Sequence, residues 1–212
     1  MTYRIGVDVG GTFTDVVCVA ADGTTTLAKA ASTPADQSEG VVAGLVVLAE
    51  TLGVTLANLL RQTERIVHGT TVATNALLER KGAKIAMLTT EGHRDVIEMR
   101  EGLKPERYNM RLAAAPALVP RRLRLAVRER LRPDGRVEVP LDTASLDAAI
   151  AQLRAENVEA VAVCFLHSWR DARHENAAAE ALRQALPSVF VTTSAEVLPQ
   201  IKEFERFSTA AV

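Results

Sequence analysis

This 212-residue sequence lacks a disulfide framework, a zinc motif, a membrane-spanning run and a secretion signal. Its two cysteines, Cys18 and Cys164, lie far apart in apolar runs without a C-x-x-C pair, so we expect two reduced, buried thiols. The longest apolar stretches end before membrane-spanning length, and the N-terminus lacks the basic and apolar regions of a signal peptide. The sequence therefore predicts a soluble, cytoplasmic protein without a membrane partner.

The sequence also has no excess of either charge, since it contains 25 Lys and Arg residues and 26 Asp and Glu residues. The balanced charge gives no global field that would attract nucleic acid, so no nucleic-acid partner is expected. The arginine-rich stretch, residues 121–132, contains Glu129 and alternating Leu123, Leu125 and Val127. This alternation predicts a β-strand with one solvated face rather than a nucleic-acid-binding surface.

The hydrophobic pattern predicts an α/β fold. Three β-like runs come first, at residues 3–8, 13–20 and 24–31, and helices then alternate with further strands. This order indicates a mixed sheet with three antiparallel opening strands and flanking helices.

Local signals predict where several elements begin and end. Asp36 followed by Glu39 forms a capping-box pattern at the start of a helix, and Gly82 is expected to end a later one. A β-hairpin is expected over residues 125–142, with its turn at residues 133–135, whereas residues 101–121 look irregular.

The first turn of the chain carries a group of polar residues and glycines. Asp8 ends an apolar strand, where a buried carboxylate would need a donor or a cation. Gly10 and Gly11 allow a positive φ and let a ligand approach the backbone, and successive N–H groups in such a turn can bind an anion. The alternative is an ordinary glycine hairpin with an exposed aspartate.

Three further residues favour a phosphate loop. Thr12 and Thr14 add hydroxyl groups, and Asp15 adds a second carboxylate. Phosphate oxygens on the N–H groups, with Mg²⁺ near the carboxylates, would use all of these groups. The loop is neither a Walker loop nor a dinucleotide fingerprint, because it lacks the Walker pattern and leads into a strand.

At these residues the sequence resembles known proteins. "VDVGGTFTDVV" resembles the first phosphate motif of the actin, Hsp70 and sugar-kinase superfamily. "DVGGTFTD" in full, "HGTTVATNALLERKGAKIAMLTTEGHRDVIEMREG", "FLHSWRDARHE" and "SAEVLPQIKEFERFSTAAV" are similar to the hydantoinase A/5-oxoprolinase family. The resemblance covers essentially the whole chain. It implies a ribonuclease H-like half of an actin-like ATPase fold, with a family domain at residues 1–198 and, at 199–212, the start of a segment leading to a second ATPase half.

The resemblance also implies ATP and Mg²⁺ as cofactors. Phosphate contacts would come from the loop residues, namely Gly10, Gly11, Thr12 and Thr14. Asp8 would coordinate Mg²⁺ through water, and Asp15 is a weaker catalytic candidate in the same shell. The complete enzyme would use ATP to phosphorylate an amide or carbonyl oxygen of a small-molecule substrate, before ring hydrolysis or carboxylation.

The implied partner is the second ATPase half or a separate subunit, and the chain could also self-associate. Two rival functions stay open. One is a small-molecule kinase of the sugar-kinase type, which shares the first motif. The other is a non-catalytic fragment that binds a partner subunit.

A second cluster follows a later strand. Thr70 or Thr71 can cap the next helix, which contains Asn75, or that helix N-terminus can hold an anion beside Gly69. The family resemblance supports a nucleotide or substrate site at these four residues. The neighbouring His68 is expected to be a partly buried histidine with satisfied hydrogen bonds.

Two other groups of residues are ambiguous. Arg94 could recognise a carboxylate or phosphate, or belong to a local surface pattern with Asp95. Residues His167, Arg170, Asp171 and His174 resemble a metal cluster by type. Asp171 is interpreted instead as a helix cap.

Overall fold

The structure is a computed structural model that describes residues 2–102, 106–113 and 115–212. Its contacts divide the chain into two compact units, called here the N-terminal unit (Met1–Lys81) and the C-terminal unit (Gly82–Val212). Each unit has its own four-stranded sheet and hydrophobic core. The α/β class and the mixed sheet are confirmed, but the strands after Lys81 form a second sheet. The predicted boundary between residues 198 and 199 stays a prediction.

The N-terminal unit contains the mixed sheet. Its elements, in chain order, are β1 (Tyr3–Val9), β2 (Phe13–Ala20), β3 (Thr25–Ala31), α1 (Gln37–Thr51), α2 (Leu56–Arg61), β4 (Thr63–Thr70) and α3 (Val72–Glu79). The strand order is β3-β2-β1-β4. β1 pairs antiparallel with β2, and β2 with β3, whereas β4 runs parallel to β1. Alternate residues of β1 and β2 are buried, because one face of this sheet packs against α1.

Helix α1 begins where the capping pattern predicts and lies very close to the sheet. The Asp36 side chain accepts a hydrogen bond of 2.9 Å from the Ser38 N–H. Gly40 and Gly44 face the sheet one helical turn apart. A Cβ atom on Gly44 would lie 2.7 Å from Val16 Cγ2, so this approach requires glycine.

The C-terminal unit contains a parallel sheet. Its helices and strands are β5 (Ile85–Thr90), α4 (Val96–Met99), β6 (Arg124–Val127), β7 (Arg130–Leu131), β8 (Val137–Val139), α5 (Thr143–Ala155), β9 (Ala160–Cys164), α6 (Arg173–Ala185), β10 (Phe190–Thr193), α7 (Ser194–Val197) and α8 (Glu203–Ala211). Strands β10, β9, β5 and β6 lie in this order and run parallel. α8 belongs to this unit, because Phe207 is fully buried in its core.

The predicted hairpin is confirmed only for the residues nearest its turn. β7 and β8 pair antiparallel around a turn in which Gly135 has a φ of 86°. The preceding residues form β6 and pair in parallel with β5 instead. The prediction of a solvated charged face is wrong for Arg124 and Glu129, which are only 3% and 2% exposed, whereas Arg122, Arg128 and Arg132 are exposed. Both side chains have polar partners from distant parts of the chain: Arg124 forms ion pairs with Asp95 and Glu98, and Glu129 lies 2.7 Å from His174 Nδ1.

Other local predictions have mixed outcomes. Helix α3 ends earlier than Gly82, because Arg80 is its C-cap, in the left-handed conformation with a φ of 55°. Asp171 accepts a hydrogen bond from the Arg173 N–H, as a cap does, although Ala172 occupies the N-cap position of α6. The irregular conformation predicted for residues 101–121 falls partly on residues 103–105 and 114, which lie outside the described residues.

The cysteines fit the prediction made for them. Cys18 and Cys164 are buried free thiols. Within the described residues, no group of three or more His, Cys, Asp and Glu side chains could hold a metal ion, and His174 is bound to Glu129. No helix in the same part of the chain has both the length and the apolar character needed to cross a bilayer.

Candidate functional site

The turn between β1 and β2 is a tight hairpin. The Gly10 N–H donates to the Phe13 carbonyl at 3.0 Å, which leaves Gly11 and Thr12 as the two loop residues. Neither Gly10 nor Gly11 has a positive φ, so the positive φ expected at these glycines is wrong. The requirement is steric: an added Cβ would lie 3.1 Å from the Phe13 carbonyl oxygen at Gly10, and 3.3 Å from Asn75 Nδ2 at Gly11.

Ser32 fixes this turn and was not predicted. Its hydroxyl donates to the Gly10 carbonyl at 2.7 Å, and its N–H donates to the Thr12 carbonyl at 3.0 Å. The N–H groups of Gly11 and Thr12 donate to no acceptor within the described residues, and both residues are exposed. Two free N–H groups on a fixed turn can bind an anion.

Asp8 and Asp15 face each other across the hairpin. They are direct cross-strand partners on the sheet face opposite α1, which we call the open face. Both are exposed, so the expectation of a buried Asp8 is wrong. Lys29 lies 2.8 Å from Asp15 Oδ1, whereas Asp8 has no ion pair within the described residues. Because adjacent carboxylates repel, this pair favours a cation beside it.

Thr14 does not share this environment. It is fully buried on the α1 side of the sheet, and its hydroxyl lies 3.1 Å from the Ser32 hydroxyl. Thr14 therefore supports the turn through Ser32 and does not face the open face.

The open face combines a charged row with an apolar row. Along the charged row, Gly69, Asp8, Asp15 and Lys29 are partners on adjacent strands. Along the apolar row the partners are Val67, Gly6, Val17 and Leu27. Gly69 leaves room beside Asp8, since an added Cβ would lie 3.9 Å from Asp8 Oδ1. Residues of both rows line a cavity of about 300 Å³.

The second predicted cluster lies next to the first. The Thr71 N–H donates to the Val9 carbonyl at 3.3 Å, which ties the start of α3 to the end of β1. Thr71 is the N-cap residue of α3 without a side-chain capping bond, and its hydroxyl accepts from Asn75 Nδ2. The Thr70 hydroxyl accepts instead from the Val72 N–H at 3.3 Å. Gly69, Thr70, Thr71 and Asn75 thus lie beside the Gly10–Thr12 turn.

Two predictions near these clusters differ from the structure. His68 is exposed rather than partly buried. Arg94 lies in the C-terminal unit and forms no ion pair with Asp95. The Asp95 carboxylate is bound by Arg121 at 2.9 Å and by Arg124, and the hydrogen bond from Arg121 is the main reason that the pKa of Asp95 is lowered.

The residues at the turn fit a hydrated magnesium ion with a phosphate group. Mg²⁺ retains most of its water and is held by one or two carboxylates together with phosphate oxygens. Asp8 and Asp15 supply the carboxylates, and the turn supplies free N–H donors at the end of the same hairpin. The donor set is therefore suited to a magnesium–polyphosphate complex.

Comparisons with known proteins agree on one family. The model of the hydantoinase/oxoprolinase N-terminal region matches residues 4–186. The caprolactamase subunit alpha of Pseudomonas jessenii is 43% identical over 99% of this chain, which spans 30% of that relative. The acetophenone carboxylase gamma subunit of Aromatoleum aromaticum is 35% identical over 98% of this chain and 30% of its own length. The crystal structure of the ATP-dependent caprolactamase from P. jessenii superimposes with a TM-score of 0.86 over 98% of this chain and 30% of that one, at 43% identity.

Proposed function

Because the chain belongs to the hydantoinase/oxoprolinase family, as its N-terminal region, we propose that its N-terminal unit binds the phosphates of Mg-ATP. The observation that carries this proposal is the hairpin itself. It presents the Asp8 carboxylate and the free N–H groups of Gly11 and Thr12 together at one end of the open face. The ATP dependence stated for the caprolactamase supports the choice of nucleotide.

We further propose that this unit is the ribonuclease H-like half of an actin-like ATPase. The antiparallel order of β1, β2 and β3, followed by a parallel β4, supports this proposal. A second half, in the same polypeptide or in a partner subunit, would complete the nucleotide cleft. The chain spans 30% of the length of each of the two curated relatives named above, which is consistent with such a partner.

Each residue of the turn has a distinct proposed role. The N–H groups of Gly11 and Thr12 hydrogen-bond phosphate oxygens, and Gly10 keeps the turn tight enough to present them. Asp8 holds the water shell of Mg²⁺, and Asp15, already bound to Lys29, acts more weakly. Bound Mg²⁺ would neutralise charge that develops during phosphoryl transfer, and the chain's own groups fix the position of the phosphates.

The proposed reaction is the ATP-dependent cleavage of a cyclic amide. The γ-phosphoryl group of ATP would be transferred to the amide oxygen, which releases ADP. Water would then add to the activated carbon and the C–N bond would break to free the amine. Hydrolysis of the resulting acyl phosphate by a second water would release phosphate and the carboxylate. The similarity to the caprolactamase subunit supports the proposal of a hydrolase reaction. ATP-dependent carboxylation is the second candidate, because a carboxylase subunit is 35% identical over 98% of the chain.

The Asp8→Asn variant tests this site. We expect ATP-dependent turnover to fall by about 100-fold or more, because a group that positions the metal stabilises the transition state by several kcal/mol. The measurements are phosphate release by the complete enzyme and calorimetric titration with Mg-ATP. Asp147→Asn is the matched control, since Asp147 is an exposed carboxylate on α5.

Unchanged turnover in Asp8→Asn would contradict the metal role. A loss of thermal stability in the absence of nucleotide, with Mg-ATP affinity unchanged, would show that Asp8 is structural.

A further inference from the structure

The parallel sheet of the C-terminal unit has a switch point in its strand order. From β5 the chain continues to β6 on one side, and it later returns to β9 on the other side of β5. In open parallel sheets, ligands bind at the carboxyl ends of the strands at such a point. A cavity of about 520 Å³ lies there. His93 follows β5, Arg130 follows the end of β6, and Leu166 and His167 follow β9, and all of them line this cavity.

Arg130 places in this cavity a positive charge that forms no ion pair within the described residues. The residue is partly buried, and the one hydrogen-bond contact of its guanidinium within the described residues is with His93 Nδ1 at 3.5 Å. By contrast, Lys202 at the rim is bound to Glu101 at 2.6 Å. A guanidinium without a carboxylate partner favours an anionic ligand.

His167 adds a second group without a partner. It has the left-handed backbone conformation, with a φ of 57°, which is uncommon for a residue other than glycine. Its buried Nδ1 atom has no hydrogen-bond partner within the described residues. Burial is the main reason that the pKa of His167 is lowered, so the imidazole is neutral near pH 7 and can donate one hydrogen bond.

A buried network holds the three loops of the cavity together. Glu129, next to Arg130, accepts a hydrogen bond from the Thr90 hydroxyl and lies 2.7 Å from His174 Nδ1. The Thr90 oxygen in turn accepts from the Leu166 N–H at 2.9 Å. Thr90 ends β5, Glu129 follows β6 and Leu166 follows β9, so this network fixes the positions from which Arg130, His93 and His167 project.

The other residues that line the cavity limit which anions can bind in it. Glu203 also lines the cavity without an ion pair within the described residues, and its charge opposes a second negative charge on the ligand, whereas Glu205 pairs with Lys202 at 3.6 Å. Val96, Met99 and Phe204 supply apolar surface. We infer that this cavity is a binding site for a small organic monocarboxylate, whose carboxylate binds Arg130 between His93 and His167 and whose apolar part contacts Met99 and Phe204. This site is separate from the proposed phosphate site and does not depend on it.

Hexanoate is the probe, with inorganic phosphate and hexylammonium as comparisons. Calorimetry on the purified protein should detect hexanoate binding and no comparable binding of phosphate or hexylammonium. Arg130→Gln should weaken hexanoate binding about tenfold or more, because it removes a charge-assisted hydrogen bond. Arg136→Gln is the matched control in the same hairpin, since Arg136 is exposed and pairs with Asp134.

The protein has four histidines, so histidine-labelled NMR spectra give a readout that does not require activity. Hexanoate should shift the signals of His93 and His167 and raise the pKa of His167, because a nearby carboxylate favours imidazolium. His68, in the N-terminal unit, should not respond. Arg130→Lys should restore part of the affinity, which separates loss of charge from misfolding.

The inference is overturned if Arg130→Gln and Arg136→Gln bind hexanoate equally, or if phosphate binds as well as hexanoate. It is also overturned if hexanoate leaves the NMR signals of both cavity histidines unchanged.

The Glu203→Gln variant should bind phosphate more tightly than the unaltered protein does. Equal phosphate affinity of the two proteins would contradict the role of that carboxylate.

Discussion

At the scale of single residues, Arg206 is the largest fully buried side chain in the part of the chain that the structure describes. Its guanidinium donates to the carbonyl oxygens of Phe165 and Gln200 at 2.9 and 2.6 Å, and to the Ser194 hydroxyl at 3.0 Å. Glu175 receives hydrogen bonds from the same Ser194 hydroxyl and from the Phe165 N–H. Two buried opposite charges thus hold α8 to the ends of β9 and β10.

We expect Arg206→Leu to lower the free energy of unfolding by about 3 kcal/mol or more, because it leaves buried carbonyl groups unsatisfied and Glu175 without a positive charge nearby. Arg136→Leu, at an exposed position of the β7–β8 hairpin, should change it by about 0.5 kcal/mol or less. Urea denaturation of both variants measures the difference. Similar midpoints for the two variants would mean that the buried network contributes little to stability.

Whether the contacts of a single residue can be predicted from the sequence depends on how far along the chain its partner lies. Asp36 caps α1 through a residue two positions later, and the sequence pattern identifies it directly. Glu129 and His174 are separated by 45 residues, and only the fold brings them together. The sequence pattern therefore assigned Glu129 to a solvated face. Likewise, glycines close together in the sequence predicted the 8–15 loop. The contact of Ser32 with this loop was not predicted, because Ser32 follows β3 and is 22 residues away from Gly10 in the chain.

At the scale of elements, the approach of α1 to the sheet depends on glycines that helix propensity alone would disfavour. Glycine in a helix costs about 1 kcal/mol relative to alanine, yet Gly40 and Gly44 occupy the face of α1 that contacts β2 and β3. The strand positions were predictable from alternation. The close approach was not, because it depends on which side chains of β2 lie beneath the helix.

We expect Gly44→Val to lower the free energy of unfolding by about 1–3 kcal/mol, since its Cβ would overlap Val16 and force α1 away from β2. The matched control is Ala43→Val, which introduces the same side chain at the adjacent exposed position. Its effect should be about 0.7 kcal/mol or less, the helix propensity difference between alanine and valine. Thermal unfolding of both variants distinguishes the two effects, and equal destabilisation would show that α1 does not pack closely on Val16.

At the scale of the whole molecule, two units with separate cores carry two different candidate sites. The order of strands and helices predicted the α/β class, but the sequence did not show that the sheet is interrupted after Lys81. The reason is physical: strands of either sheet have the same apolar alternation, and only long-range pairing assigns each strand to one sheet. β4 pairs with β1, more than 50 residues before it in the chain, whereas β5 pairs with β9.

Separate cores predict that each ligand stabilises its own unit. Binding stabilises the residues that form a site, and local opening is cooperative within units that share a core. We therefore expect Mg-ATP to slow hydrogen exchange in β1, β2 and the Gly10–Thr12 turn, and hexanoate to slow it at the ends of β5 and β9. Gly44→Val should raise exchange in the N-terminal unit and leave the protection of β9 unchanged, because Gly44 and Val16 belong to the other core. Mass-spectrometric exchange on the purified protein measures both effects in one experiment. Uniform changes across the two units, with either ligand or with the variant, would show that the chain opens as a single cooperative body.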